Sequence, residues 1–103
     1  MKFAQAMLAV AAATAMQFSA APDAFATGKM KCDAGPQTGW KSRTDLEAKL
    51  KKDGWTVKKS KVDGGCYEVY GVTPEGQNVE AYFHPVTMEK LLVSQRGKVI
   101  FKK

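Results

Sequence analysis

His84 is the only imidazole in the chain. It follows Tyr82 by two residues and Glu80 by four, in a stretch that alternates apolar and polar side chains. Glu68 falls on a neighbouring apolar–polar stretch and can lie across from it. An imidazole among carboxylates is raw material for general acid–base work. The set stops there. Nothing supplies a nucleophile, a second base or an oxyanion hole, so no catalytic residue is assigned and the chain is read as a non-enzyme. His84 with Met88, or with Met30, would offer soft ligands of the kind copper(I) accepts. A metal- or haem-handling accessory protein of the cell envelope is therefore the alternative reading. One histidine and scattered methionines fall short of a ligand motif, so no metal site and no cofactor is assigned. Two cysteines, Cys32 and Cys66, cannot build a cysteine zinc site.

The remaining polar residues suggest contact rather than chemistry. Glu68, Tyr70, Glu80, Tyr82 and His84 share one predicted sheet face and are read as a partner-binding surface. Tyrosines suit interfaces because they bury area while keeping a polar tip. The plainer alternative is a cross-strand aromatic pair that steadies the sheet. Lys58, Lys59 and Lys61 lie on one strand, Lys49, Lys51 and Lys52 close the helix, and Lys102 and Lys103 end the chain. Together they make a basic surface that draws in an acidic protein or an anionic membrane. Solvated charge that keeps a small domain soluble is the competing account. Nucleic acid is not an expected partner, since there are two arginines and no binding motif.

The elements that must position these residues follow from the whole chain. Its 103 residues carry 16 Lys plus Arg against 10 Asp plus Glu, a net charge of +6, and leave room for one small domain. Residues 1–26 read as a signal peptide: Lys2, an Ala-rich apolar run from Ala4 to Met16, then Ala24-Phe25-Ala26. The run is shorter than the roughly 20 apolar residues of a membrane span. Cleavage after Ala26 places the protein in the periplasm or outside the cell, with no integral membrane anchor. There, a bond between Cys32 and Cys66 is the default. Closing a loop of roughly 35 residues contributes about 4 kcal/mol in the chain-entropy model. Residues 27–39 form an irregular arm that this bond ties down.

The folded domain is expected over residues 40–103. Ser42 caps a helix that runs to Gly54, with Leu46 and Leu50 on its buried face and Ala48 beside them. Strands are predicted from Trp55 to Val62, Cys66 to Thr73 and Asn78 to His84, with turns at Asp63-Gly64-Gly65 and Pro74-Glu75-Gly76. A last hairpin joins Lys90–Ser94 to Lys98–Lys102. Trp55, Val57 and Lys59 are placed on one face of the first strand, and Lys58 and Ser60 on the other. One helix on an antiparallel β-meander is an α+β architecture, with a core of Leu46, Leu50, Trp55, Val69, Val79 and Phe83. A disulfide at Cys66 holds the arm beside the proposed contact face. An arm laid over that face would remove Tyr70 and Tyr82 from solvent.

The segments Gly65-Cys66-Tyr67-Glu68-Val69-Tyr70 and Val79-Glu80-Ala81-Tyr82-Phe83-His84-Pro85-Val86-Thr87, preceded by Trp40, Leu46, Leu50 and Gly54-Trp55, resemble the small exported PepSY-domain proteins of bacteria. The likeness covers about residues 32–90. It implies a helix packed on a short antiparallel sheet, and a location in the cell envelope or outside it. Related domains occur in the pro-regions of thermolysin-like peptidases. The resemblance therefore implies a protein-binding domain that inhibits or regulates a peptidase, the partner being another envelope or secreted protein. No catalytic residues carry over from the family. His84 stands where the usual motif has Asp, and Met88 where it has Gly.

Overall fold

The computed structural model describes residues 28–103, and the signal peptide read over residues 1–26 lies outside the described residues. Ser42 starts the helix as its type predicts. Its backbone is extended, and its hydroxyl accepts from the Asp45 N–H at 2.9 Å. Helix α1 runs Arg43–Lys52, with Asp45 in the first turn and Lys49, Lys51 and Lys52 in the last. Both placements favour the helix dipole. Leu46 and Leu50 are buried, while Ala48 is exposed and takes no part in the packing.

Five strands follow: β1 (Thr56–Asp63), β2 (Cys66–Val72), β3 (Asn78–Phe83), β4 (Lys90–Gln95) and β5 (Lys98–Lys102). They lie side by side in chain order, every pair antiparallel. Two-residue spacing sends alternate side chains to opposite faces. On one face Trp55, Tyr67, Val69, Val79, Ala81, Phe83 and Val93 meet Leu46 and Leu50 in the main core, with Trp40, Val57 and Met88 packed at its margin. Each of the two leucines contributes about 1.5–3 kcal/mol by this burial. Trp55 meets Phe83 edge to face at 5.8 Å, and Trp40 meets Tyr67 the same way at 5.5 Å. The Tyr67 hydroxyl donates to the Lys41 carbonyl at 2.6 Å.

The first strand departs from the expected alternation. Its register with β2 shifts between Val57 and Lys59, so one extra residue, Lys58, is accommodated there. After the bulge, Ser60 sits opposite Val69, on the helix side. Its hydroxyl donates to the Glu47 carboxylate at 2.5 Å, and its carbonyl accepts from Arg43 at 2.6 Å. Lys59 sits opposite Tyr70, on the outer face. The expected places of Lys59 and Ser60 are thereby exchanged. A bulge turns every later side chain over because the pleat has a period of two.

Candidate functional site

The face turned away from α1 gathers four of the five proposed contact residues. β2–β3 pairing sets Glu68 opposite Tyr82 and Tyr70 opposite Glu80. β4 continues the layer with Leu92 opposite Tyr82 and Ser94 opposite Glu80. β1 adds Lys59 opposite Tyr70 and Lys61 opposite Glu68. Regular alternation is enough to assemble this group, and it was readable in the sequence for that reason.

Half of the group is covered. Met30 and Cys32 of the arm pack on Cys66, Tyr82 and Leu92, forming a second, smaller core. The Cys32–Cys66 disulfide fastens the arm, with Cα atoms 5.1 Å apart. The Cys32 N–H donates to the Gly64 carbonyl at 2.8 Å. Asp63 completes the attachment: its Oδ2 accepts from both the Tyr82 hydroxyl and the Gly28 N–H, each at 2.9 Å. Gly64 and Gly65 have positive φ, as a tight hairpin turn requires. They also have no room for a side chain, since a Cβ on Gly65 would stand 2.6 Å from the Cys32 carbonyl and one on Gly64 would run into that of Met30.

Tyr82, expected outward, is therefore fully buried, and Glu68, paired with it across the strands and also expected outward, is fully buried as well. The sheet face needed a lid, and the arm that supplies it shows no apolar periodicity beyond Met30 and Cys32. Asp63 looked like an ordinary turn residue, and its role in joining arm to sheet had no separate sequence signal. Burial pushes the Glu68 carboxyl up to about 7, with the Tyr70 hydroxyl and the Lys61 ammonium pulling the other way. Asp63 and Glu80 add to the rise. The Lys61 Nζ stands 3.8 Å from the carboxylate. Burial, followed by the bond to Asp63, raises the Tyr82 hydroxyl above the usual phenol range.

The other half stays open. Tyr70 and Glu80 are half-buried. Lys59 and Lys61 lie over the Tyr70 ring at 4.8 and 5.8 Å from its centroid, within cation–π range. A recess of about 310 Å³ is lined by Lys58, Tyr70, Asn78, Glu80, Ser94 and Arg96. The Lys58 ammonium donates to the Asn78 side-chain oxygen at 3.1 Å. The three strand lysines thus do share the open half of this face, with Tyr70 among them.

His84 belongs to a turn rather than to this face. Its Nδ1 accepts from the backbone N–H of Val86 at 3.1 Å and of Thr87 at 3.4 Å, and its carbonyl accepts from Met88 N–H at 2.7 Å. An imidazole that accepts at Nδ1 does the work of an aspartate carboxylate in capping a turn. Met88 takes positive φ, 63°, the conformation a glycine would hold without strain. Met88 packs at the edge of the main core and Met30 on the opposite face of the sheet. Among the described residues, no group of three or more His, Cys, Asp or Glu is placed to hold a metal ion, and no helix is long and apolar enough to cross a membrane.

Compared with known proteins, residues 5–92 match the family model described as peptidase propeptide and YPEB domain. No curated protein and no solved structure matches the chain.

Proposed function

Since the chain belongs to the peptidase propeptide and YPEB domain family, PepSY for short, we propose that it is a non-catalytic binding domain that regulates a peptidase outside the cytoplasm. The observation that carries this reading is the family match, which takes in most of the chain. The chemistry of the titratable side chains supports it. Asp63 and Tyr82 hold the arm, and His84 Nδ1 holds a turn. These are structural uses of groups that an active site would need. Two cysteines joined across the arm and the sheet suit an oxidising compartment, as does the signal peptide read over residues 1–26. The metal- or haem-handling alternative draws no support from the geometry: His84 and Met88 share a turn, but there His84 Nδ1 accepts from backbone N–H groups and Met88 packs against the main core, while Met30 lies on the other face.

Titration of the oxidised protein into thermolysin, and into peptidases purified from the envelope of the organism that makes it, tests the proposal. The expected result is saturable loss of peptide hydrolysis by at least one of them. Digestion of the protein as an ordinary substrate by all of them, with no slowing of a reporter peptide, would overturn it.

A further inference from the structure

The polar side chains of the outer face are not all satisfied. Ser94 is 1% exposed, and its hydroxyl has no hydrogen-bond partner among the described residues. Oε1 of Glu80, the residue opposite it on β3, is shut off from solvent and unpartnered in the same way. Buried polar atoms normally find partners, and one left without costs stability. The arm-covered end of the face keeps that rule, where the Tyr82 hydroxyl donates to Asp63. Ser94 and Glu80 instead line the recess of about 310 Å³ at the open end. A hydrogen-bond donor entering the recess would give both atoms the partner they lack.

Charge and spacing narrow the ligand. Lys58 leaves the bulge in β1, crosses β2 and donates to the Asn78 side-chain oxygen on β3. An ammonium has three donors, so two remain for a ligand. Arg96, exposed in the turn between β4 and β5, lines the recess from the other side. A ligand with positive charge alone would meet these two cations, and one with negative charge alone would meet Glu80. A ligand carrying both charges meets a complement on each side. Asn78, which holds the Lys58 ammonium, is two residues from Glu80 along β3, about 7 Å by the rise of a strand. Two charge-assisted hydrogen bonds of about 2.8 Å take up most of that span. The ligand's own opposite charges must therefore lie close together, as they do on either side of a single carbon.

We propose that this recess binds a free α-amino acid, its ammonium donating to Glu80 Oε1 and Ser94 Oγ and its carboxylate accepting from Lys58 and Arg96. The planar guanidinium suits a carboxylate, and the exposed Arg96 side chain is the wall that can swing to admit the ligand. Tyr70 lines the same recess. The site does not rest on the regulatory role proposed above, and each can fail without the other.

The test titrates the oxidised protein with L-alanine and follows its amide signals by NMR. Those of Asn78, Glu80, Ser94 and Arg96 should move and saturate in the millimolar range. Alaninamide keeps the cation without the carboxylate, and N-acetylalanine keeps the carboxylate without the cation. Each should bind at least about tenfold more weakly, as should ε-aminocaproate, whose two charges lie far apart. Glu80→Gln and Arg96→Gln should each weaken alanine binding about tenfold. Ser94→Ala should weaken it while leaving the melting temperature no lower, because the hydroxyl it removes bonds to nothing in the free protein. The proposal is overturned by the absence of saturable shifts at about 100 mM alanine, far above the millimolar range, or by shifts confined to the arm or to the lysines of α1. Equal binding of N-acetylalanine would overturn it in favour of a site for the C-terminal carboxylate of a peptide. Equal binding of ε-aminocaproate, or a Ser94→Ala variant that melts lower and binds alanine unchanged, would also overturn it.

Discussion

Glu68 is a carboxyl placed where water cannot reach it, and its titration sets a pH dependence for the whole fold. Its ordinary value of 4.5 rises to about 7 in the folded protein, chiefly through burial. Between those values the folded state holds a proton that the unfolded chain has released. Stability is therefore undiminished below pH 4.5, falls as pH rises through that window, and levels off above about 7. The total effect is about 3 kcal/mol, from the free-energy equivalent of a pKa shift. Glu68→Gln should flatten the curve and be the more stable protein at alkaline pH, as urea denaturation at a series of pH values would show. His84 makes a different prediction. Its Nδ1 takes two turn N–H groups, so His84→Ala should cost about 1 kcal/mol, the net contribution of a hydrogen bond or two. His84→Asp should keep the turn, because a carboxylate oxygen can accept the same donors. Thermal melts of the two variants side by side would separate capping from mere bulk.

The helix and the first three strands were legible because each is announced by more than one signal, and the last hairpin chiefly by its Arg96-Gly97 turn. Ser42 caps and Gly54 closes α1, Leu46 and Leu50 mark its buried face, Gly-containing turns separate β1 from β2, β2 from β3 and β4 from β5, and Pro85 ends β3. Leu50→Ala should cost about 2–5 kcal/mol, the usual range for a truncated core leucine, since that side chain is 3% exposed. Chemical unfolding checks it, and a change of a few tenths would mean that α1 packs by another face. What could not be read is the bulge in β1. Lys58, Lys59, Ser60 and Lys61 are all polar, so no hydrophobic pattern marks which of them is the extra residue. The burial of Tyr82 escaped for a related reason: its cover comes from the arm, an element without periodicity, held by a bond and by Asp63. The candidate face was thus readable as a set of neighbours and unreadable as a surface. Gly65→Ala tests the packing of arm on turn. It should loosen the arm while leaving α1 and the main core in place, seen as faster amide exchange at Cys32 and little change at Leu50.

For the molecule as a whole, the disulfide joins the arm to the sheet. Cys32→Ser combined with Cys66→Ser should cost about 2–5 kcal/mol, as is typical for native bridges in small secreted domains. The same variant should ionise Tyr82 at lower pH, closer to the ordinary phenol value of 10.0, because the lid over it is no longer fastened. Ultraviolet absorbance of the phenolate reads this directly. Intact mass of material collected from outside the cytoplasm should begin near Thr27, and a chain still carrying residues 1–26 would refute the signal reading. Strand order in space equals strand order along the chain, and this bears on how the protein comes into being. Each new strand finds its neighbour already made, so the sheet can grow one strand at a time from contacts close in sequence, a topology that favours quick folding. The arm reverses that order. It emerges before the sheet, yet it rests on Cys66, Tyr82 and Leu92, so its seat is complete only once β4 has been made. Cys66, the partner of Cys32, opens β2 and is made before that seat is complete, and with one other cysteine in the chain Cys32 has no wrong intramolecular partner to take.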